Sequence, residues 1–309
     1  MSTDEPEKSA LSTSNEDDLT CRSRFLTKPE NVFAHNAWDD VIWDEEMIEA
    51  AEKSIEQNST LKMDEKEAEK VLSDASSNWD KFYGIHENKF FKDRNWLLKE
   101  FPELEGIVDG KECEKFRVLE TGCGVGNTVF PLMQYIESSR DFFVYGCDFS
   151  PSAIELTHQN ALYDSSRCKT FTWDLTNVDN DARLPFEENS LDVILMIFVL
   201  SAIRPTSFKS VISNLTRFLK PGGLLMFRDY GKYDLAQLRF KQGRCIEQSF
   251  YCRGDGTQVY FFTQSELHDL FTECGLEKVQ NLIDRRLQVN RGKQLKMYRV
   301  WIQCKYRKK

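Results

Sequence analysis

The chain has 309 residues, of which 40% are hydrophobic, enough for one large α/β domain with an N-terminal appendage. Its net charge of −9 is uneven, because residues 1–70 hold 19 acids and 8 bases whereas residues 71–309 hold 31 acids and 33 bases. No apolar run approaches the ~20 residues of a membrane helix, and residues 1–20 lack the apolar segment of a secretory signal, so neither is predicted.

Composition divides the N-terminal third into segments of different character. Residues 1–31, rich in Ser, Thr, Asp and Glu, are predicted to be a disordered acidic tail. The rest of this third, 32–110, is predicted to be an extension that covers the following domain. It contains an aromatic patch at 32–43, one solvated helix over 44–72, and a segment at 78–101 in which seven aromatic residues alternate with Lys and Arg.

From residue 111 onward, strands alternate with helices, which predicts a doubly wound sheet in a domain over 111–309. The sheet is expected to be mostly parallel, with one antiparallel edge strand near the end of the chain. The predicted strands are 116–120, 142–147, 168–173, 193–200, 224–228 and the edge strand 299–306. The predicted helices are 127–138, 151–160, 207–219 and 263–274, and Pro221-Gly222-Gly223 is expected to stop the third of them. Residues 237–262 are predicted to be an insertion with a turn at Arg253-Gly254-Asp255-Gly256.

A glycine-rich loop comes directly after the first predicted strand. Gly122, Gly124 and Gly126 alternate, and glycine permits both positive φ and close approach of the backbone to a ligand. The spacing is tighter than that of dinucleotide-binding loops, and an acid, Glu120, precedes it. An acid at this place suits a cationic or amino-bearing ligand better than a pyrophosphate, which favours S-adenosylmethionine over NAD. An ordinary tight turn is the alternative for the loop taken alone.

Further candidate ligands of the same cofactor stand at the ends of the next strands, where open parallel sheets bind ligands. Asp148 is placed to accept hydrogen bonds from two ribose hydroxyls, and Asp174 from an adenine amino group. Leu175 and Ile197 are predicted to enclose the adenine ring. Each acid alone could be a helix cap, but together with the glycine-rich loop they indicate a class I S-adenosylmethionine-dependent methyltransferase.

The methyl acceptor is inferred from the residues after the fourth and fifth strands. An exocyclic amine methylase usually carries Asn/Asp-Pro-Pro-Phe/Tyr after the fourth strand, and this chain has none there. No cysteine is placed for covalent attack on a pyrimidine, so a ring nitrogen is the predicted acceptor. Asp229 would stabilise the cationic product, with Arg228 and Tyr230 beside it. The alternative is a buried Arg–Asp pair that orders the loop.

Several motifs together resemble the tRNA 3-methylcytidine methyltransferases. They are FAHNAWDDVIW, WDKFYGIHENKFFKDRNWLLKEFPEL, LETGCGVGNTVFPL, CDFSPSAIEL and LKPGGLLMFRDYGKYDLAQLRFK, and the C-terminal sequence is similar to the methyltransferase-like protein two branch. The resemblance covers about 32–309. It implies a class I methyltransferase that uses S-adenosylmethionine to methylate N3 of an anticodon-loop cytidine in threonine and some arginine tRNAs.

The same resemblance implies roles for the segment 78–101. Trp79 and Tyr83 would help to close over the cofactor, and Phe90 and Arg94 would lie near the flipped cytidine. A single-stranded loop offers unstacked bases to such aromatic residues. The expected partners are therefore a tRNA anticodon stem-loop and a protein that delivers specific tRNAs.

Basic residues near the C-terminus are predicted to contact tRNA phosphates. Residues 284–309 hold ten bases and one acid, and the candidates are Arg285, Arg286, Arg291, Lys293 and the final Lys and Arg residues. Two other functions compete with tRNA methylation: a methyltransferase for a small molecule or protein, and a catalytically silent binding domain. Retention of Glu120, Gly122 and the two strand-end acids argues against the silent domain.

The cysteine and histidine content bears on compartment and metals. Nine cysteines without regular spacing predict reduced thiols in an intracellular protein, in the cytoplasm or else in the nucleus. Four histidines and no Cys-x-x-Cys pair predict the absence of a metal site.

Overall fold

The computed structural model describes residues 24–86, 89–108, 111–112, 115–136, 141–177 and 184–309. Residues 1–23, most of the predicted acidic tail, lie outside the described residues. Thirteen strands and nine α-helices are found within the described ranges. The helices are α1 (Glu45–Ser59), α2 (Glu65–Ser73), α3 (Ala75–His86), α4 (Leu97–Glu100), α5 (Val129–Tyr135), α6 (Pro151–His158), α7 (Phe208–Phe218), α8 (Leu235–Leu238) and α9 (Gln264–Glu273). The strands are β1 (Ala37–Asp39), β2 (Ile107–Val108), β3 (Lys111–Glu112), β4 (Lys115–Thr121), β5 (Asp141–Asp148), β6 (Cys168–Thr172), β7 (Leu191–Ile197), β8 (Leu219–Tyr230), β9 (Cys245–Glu247), β10 (Phe250–Cys252), β11 (Gln258–Tyr260), β12 (Leu276–Asn290) and β13 (Leu295–Lys308).

The N-terminal extension contributes helices and one short strand. The single helix predicted over 44–72 is wrong, because α1 and α2 are separate helices. Between them Lys62 forms a β-bridge with Cys245, which draws the chain out of helical geometry. Asp64 then caps α2 by accepting hydrogen bonds from the backbone N–H groups of Lys66 and Glu67.

One eight-stranded sheet organises the domain, in the order β1-β12-β13-β8-β7-β4-β5-β6. The five strands from β8 to β6 are parallel, and β13, β12 and β1 are antiparallel. The doubly wound, mostly parallel sheet predicted from the sequence is thus confirmed. The edge position predicted for 299–306 is wrong, because β13 lies inside the sheet between β8 and β12.

The Pro-Gly-Gly segment does not stop a helix as predicted. Helix α7 ends at Phe218, and Pro221-Gly222-Gly223 lies inside β8. Gly222 has a φ of 83°, and the register between β7 and β8 shifts at this point. The segment therefore forms a bulge in a central strand, where glycine supplies the left-handed conformation.

Apolar residues cover both faces of the sheet. Helices α7 and α9 pack on one face, where Ile194 and Phe227 are buried, and α4 and α5 pack on the other, where Val193 and Met226 are buried. The insertion predicted over 237–262 folds as a small antiparallel sheet, β9-β10-β11, and its predicted turn is confirmed by a hydrogen bond from Gly256 N–H to the Arg253 carbonyl. Strand β11 packs against the loop after β7, so the small sheet flanks the carboxyl end of the parallel strands.

Candidate cofactor and acceptor site

The glycine-rich loop connects β4 to α5 at the carboxyl edge of the sheet. Gly122, Gly124 and Gly126 have φ values of 56°, 53° and 91°, which disfavour any residue with a side chain. A Cβ at Gly122 would lie 2.5 Å from a Val199 methyl carbon, and one at Gly124 would lie 2.6 Å from the Tyr83 hydroxyl oxygen. The predicted requirement for glycine therefore holds at both positions.

A cavity of about 530 Å³ opens beside this loop. Six predicted cofactor residues share its wall: Trp79, Tyr83, Gly122, Asp148, Asp174 and Leu175. The sequence analysis missed other lining residues, among them Phe149 after β5, Trp173 after β6, and Phe198 and Val199 after β7. These four residues come directly after strand ends. Their positions in the sequence therefore indicated a place at the cavity, whereas their residue types did not indicate ligand binding.

Asp148 is the acid nearest the centre of the loop. Its Oδ2 accepts a hydrogen bond from Gly124 N–H at 2.9 Å, and its Oδ1 accepts one from Ser150 N–H at 2.9 Å. Burial raises the pKa of this carboxyl to about 6, against the lowering effect of those N–H donors. A carboxylate has about four acceptor positions, so Asp148 keeps acceptor capacity beyond these two bonds at the cavity wall.

Asp174 and Leu175 lie at the end of β6. Asp174 is exposed at the rim, and its Oδ1 accepts hydrogen bonds from the N–H and hydroxyl groups of Thr176. Leu175 is buried and forms part of the cavity wall. Asp174 offers a carboxylate oxygen, which can accept a hydrogen bond from the edge of an adenine ring. Leu175 offers an apolar surface for the face of the ring.

Glu120 lies behind the loop and is not part of the cavity lining. Its Oε1 accepts a hydrogen bond from Arg94 Nη1 at 2.9 Å, while its buried Oε2 has no hydrogen-bond partner among the described residues. Burial raises the pKa of Glu120 to about 7, and the Arg94 charge opposes that rise. A buried carboxylate oxygen without a donor fits a ligand that brings an ammonium group, as S-adenosylmethionine does.

Arg94 and Phe90, predicted near the flipped base, lie apart from the cavity lining. Arg94 also donates to the hydroxyl of Thr128 at 3.0 Å, so it holds the Glu120 carboxylate against the start of α5. Phe90 is 56% exposed and packs edge-on against Phe82 and Phe91. Their catalytic roles stay predictions.

Ile197 is buried in the core and does not line the cavity. The next residue, Phe198, takes that place with a φ of 60°, a conformation rare for an aromatic residue. The ring of Phe198 lies 5.0 Å from the ring of Tyr230, centroid to centroid. Phe198 therefore brings an aromatic ring to the cavity wall, with Tyr230 packed against it.

Asp229 and Arg228 point to opposite faces of β8, and neither lines the cavity. The Asp229 carboxylate is fully buried and accepts hydrogen bonds from the N–H groups of Ser201 and Tyr230, both at 2.9 Å. It thus ties the loop after β7 to the end of β8. Burial raises its pKa to about 6.

Arg228 forms a buried ion pair, but its partner is Asp284 of β12 and not Asp229. It also donates to Gln303, and its guanidinium carbon lies 5.1 Å from the Trp96 ring centroid and 4.8 Å from that of Trp301. These contacts place the side chain in a packed network on the face away from Asp229.

Helix α3 forms a lid that is fastened to the cofactor side of the sheet. Trp79 and Tyr83 face the cavity, and between them Asp80 accepts hydrogen bonds from Ser150 Oγ at 2.5 Å and Ser152 N–H at 3.2 Å. The pKa of Asp80 is lowered, chiefly by the bond from Ser150. The sequence analysis missed Asp80, although it stands in the same WDKFY motif.

An Asp80→Ala variant is expected to bind S-adenosylhomocysteine about tenfold more weakly, because two hydrogen bonds to a charged acceptor that hold the lid are lost. Titration calorimetry checks this, with Ser77→Ala on the exposed side of the same helix as control. In a Ser150→Ala background the Asp80 substitution should cost less, since the two residues share one contact. Fully additive losses would contradict the fastening role.

Cofactor binding is also expected to release protons near pH 6. The pKa of Asp148 in the folded protein is about 6, above the ordinary value for an aspartate. The protonated carboxyl therefore stabilises the ligand-free fold. This contribution is complete below about pH 4 and is lost as the pH rises through 6. Ribose hydroxyls need the ionised form as acceptor. Calorimetry of S-adenosylhomocysteine in buffers of different ionisation enthalpy should show proton release at pH 6 that vanishes by about pH 8; equal proton exchange at both pH values would contradict it.

The predicted basic tail is not a tail, because residues 276–308 belong almost entirely to β12 and β13. Arg286 is ion-paired with Asp39, Glu100 and Asp284, whereas Arg291 is exposed in the turn between the two strands.

Within the described part of the chain, no three His, Cys, Asp or Glu side chains gather as metal ligands, and no described helix is long and apolar enough to cross a membrane.

Comparison with known proteins identifies a family for the chain. A family model for a methyltransferase domain matches residues 45–281. The tRNA N(3)-cytidine methyltransferase METTL2 of Danio rerio is 52% identical over 315 residues, covering 93% of this chain and 88% of that protein. The tRNA N(3)-methylcytidine methyltransferase Mettl2 of Drosophila melanogaster is 54% identical over 287 residues, covering 93% and 87%.

A solved structure shares the fold. The 1,6-didemethyltoxoflavin-N1-methyltransferase of Burkholderia thailandensis, with bound 1,6-didemethyltoxoflavin and S-adenosylhomocysteine, matches with a TM-score of 0.50 at 16% identity, over 78% of this chain and 89% of that one. The predicted class I methyltransferase fold is thereby confirmed, and S-adenosylmethionine is the cofactor. Since relatives more than half identical cover nine-tenths of its length, the chain belongs to the tRNA N(3)-cytidine methyltransferase family.

Proposed function

We propose that the chain transfers the methyl group of S-adenosylmethionine to N3 of a cytidine in the anticodon loop of threonine tRNAs and some arginine tRNAs. The observation that carries the proposal is a cavity whose wall brings Gly122, Asp148 and Asp174 together with the aromatic residue Phe198. The names of the relatives support tRNA cytidine as the acceptor. The choice of loop and of isoacceptors rests on the sequence resemblance.

The residues of the chain bind and orient the two reactants. Bound S-adenosylmethionine supplies an electrophilic methyl group on a sulfonium. Asp148 would hold its ribose, Asp174 and Leu175 its adenine, and Glu120 its amino group, while Trp79 and Tyr83 of the lid exclude water. Positioning is the main requirement, because the N3 lone pair of cytosine lies in the ring plane and needs no base to expose it.

The acceptor base would lie against the aromatic part of the cavity wall. A flipped cytosine can stack on Phe198 and Tyr230, because its faces are free once it leaves a single-stranded loop. Asp229 orients this wall through the backbone of Ser201 and Tyr230, and its buried negative charge favours the cation that forms on N3-methylated cytosine. We therefore retain Asp229 as a residue that supports turnover.

The function is tested by incubating the full chain with defined tRNA transcripts and methyl-labelled S-adenosylmethionine, followed by nucleoside analysis. The expected product is 3-methylcytidine in threonine tRNA, and none in a transcript whose anticodon-loop cytidine is replaced by uridine. Label on a protein or small molecule, with no cytidine modified, would favour the competing function. A tRNA-delivering protein partner and a cytoplasmic location stay predictions.

A further inference from the structure

Arg253 lies on the turn between β10 and β11, and it contacts a residue of the cavity wall. Its Nη1 donates hydrogen bonds to the Gln258 carbonyl at 3.3 Å and to the Thr257 hydroxyl at 3.5 Å. Gln258 itself lines the cavity. On the lid side of the same turn, Asn78 of α3 donates to the Gly256 carbonyl at 3.0 Å. The turn that carries Arg253 therefore contacts both the cavity wall and helix α3.

A line of π systems connects Arg253 with the interior of the cavity. Its guanidinium carbon lies 5.5 Å from the ring centroid of Tyr230, and Tyr230 contacts Phe198, which lines the cavity. Among the residues that the structure describes, the Arg253 side chain donates hydrogen bonds from Nη1 alone, and its charge opposes the rise in the pKa of the buried Asp229 carboxyl. Nε and Nη2 are thus available to a ligand.

The turn does not need this guanidinium for its shape. Arg253 N–H donates to the Thr257 carbonyl at 2.8 Å, and Thr257 donates through both its N–H and its hydroxyl to Asp255 at 2.9 and 2.7 Å. These backbone and side-chain bonds close the turn by themselves. Beyond its bonds to Thr257 and Gln258 and its contact with the Tyr230 ring, the partly exposed guanidinium therefore keeps donors that a ligand can use.

We propose that Arg253 binds a phosphate of the acceptor nucleotide while its base lies against Phe198 and Tyr230. The inference rests on the proposed function and adds a specific contact to it. A guanidinium fork matches two phosphate oxygens, and two neighbouring donors are available here. Such a contact fixes the position of the nucleotide without reading its sequence. It would hold the backbone outside while the base enters the cavity.

The test compares Arg253→Gln and Arg253→Lys with a matched control, Arg217→Gln. Arg217 is a half-exposed arginine at the end of α7, where the chain enters β8 at the sheet edge away from the cavity. For each full-length protein, fluorescence anisotropy measures the Kd of a labelled threonine-tRNA anticodon stem-loop over a series of KCl concentrations, with S-adenosylhomocysteine present. Calorimetry measures S-adenosylhomocysteine affinity alone.

Arg253→Gln is expected to weaken RNA binding about ten- to a hundredfold and to reduce the slope of log Kd against log salt by about 0.7. Arg253→Lys should keep the slope and recover part of the affinity, and Arg217→Gln should behave as wild type. S-adenosylhomocysteine affinity should stay within about twofold in all variants.

Three results distinguish failure of the phosphate contact of Arg253 from failure of the proposed function. An unchanged salt slope in Arg253→Gln overturns the phosphate contact, whatever happens to affinity. A parallel loss of S-adenosylhomocysteine affinity shows that Arg253 supports the cavity structure instead. Wild-type binding of the stem-loop without methyl transfer to any cytidine refutes the proposed function alone, while failure of wild type to bind the stem-loop refutes both.

Discussion

An Asp148→Ala variant is expected to lose affinity for S-adenosylhomocysteine by about a hundredfold or more. The substitution removes the acceptor that the proposed function assigns to two ribose hydroxyls, and hydrogen bonds to a charged group contribute about 1.5–3 kcal/mol each. It also removes the acceptor of Gly124 N–H, so the glycine-rich loop loses its support at the point where the cofactor binds. Titration calorimetry on the purified variant measures the loss.

Asp164→Ala is the matched control for this experiment. Asp164 also accepts the N–H of the residue two positions later, Ser166, but it lies in an exposed turn outside the cavity. Its loss should leave cofactor affinity unchanged. Thermal unfolding of both variants separates loss of binding from loss of fold. Unchanged affinity in Asp148→Ala would show that the cavity at the end of β5 is not the cofactor site.

The convergence of Gly122, Asp148 and Asp174 on one cavity could be predicted because its signals are local in sequence. Gly122 and Gly124 stand directly after a buried strand, and Asp148 and Asp174 stand at the ends of the next two strands. Parallel strands bring their carboxyl ends to one sheet edge, so residues in those places meet without any knowledge of side-chain packing. Ile197 is the exception: its side chain is buried in the core, and the residue that reaches the cavity is Phe198, because the strand continues through Ile197 before the chain turns.

Long-range pairing is the part that the sequence could not reveal. Strand β12 was missed because its pattern is interrupted by charged residues, and one of them, Asp284, is buried in ion pairs with Arg228 of β8 and Arg286 of its own strand. Asp80 and Arg253 likewise owe their positions to contacts with distant segments. Phe198 has a left-handed backbone conformation at the start of the loop that Asp229 binds through Ser201 N–H. A phenylalanine after an apolar strand does not indicate such a conformation.

An Arg228→Ala variant is expected to unfold more easily by about 3–5 kcal/mol. Removing one partner of a buried ion pair leaves the Asp284 carboxylate without its main counter-charge, which is the usual origin of losses of this size. The packing between the rings of Trp96 and Trp301 is lost as well. Urea unfolding followed by tryptophan fluorescence measures the change in the free energy of unfolding.

A double variant decides whether Arg228 acts on the fold or on the reaction. Replacing both partners, as Arg228→Met with Asp284→Leu, removes the uncompensated charge and fills the space, so most of the lost stability should return. If Arg228 serves only the sheet, methyl transfer to tRNA should return with it, because Asp148, Glu120 and Phe198 are untouched. If stability returns and turnover does not, Arg228 acts on the substrate as the sequence predicted. The buried position of the guanidinium, on the face of β8 opposite Asp229, leads us to expect recovery of both.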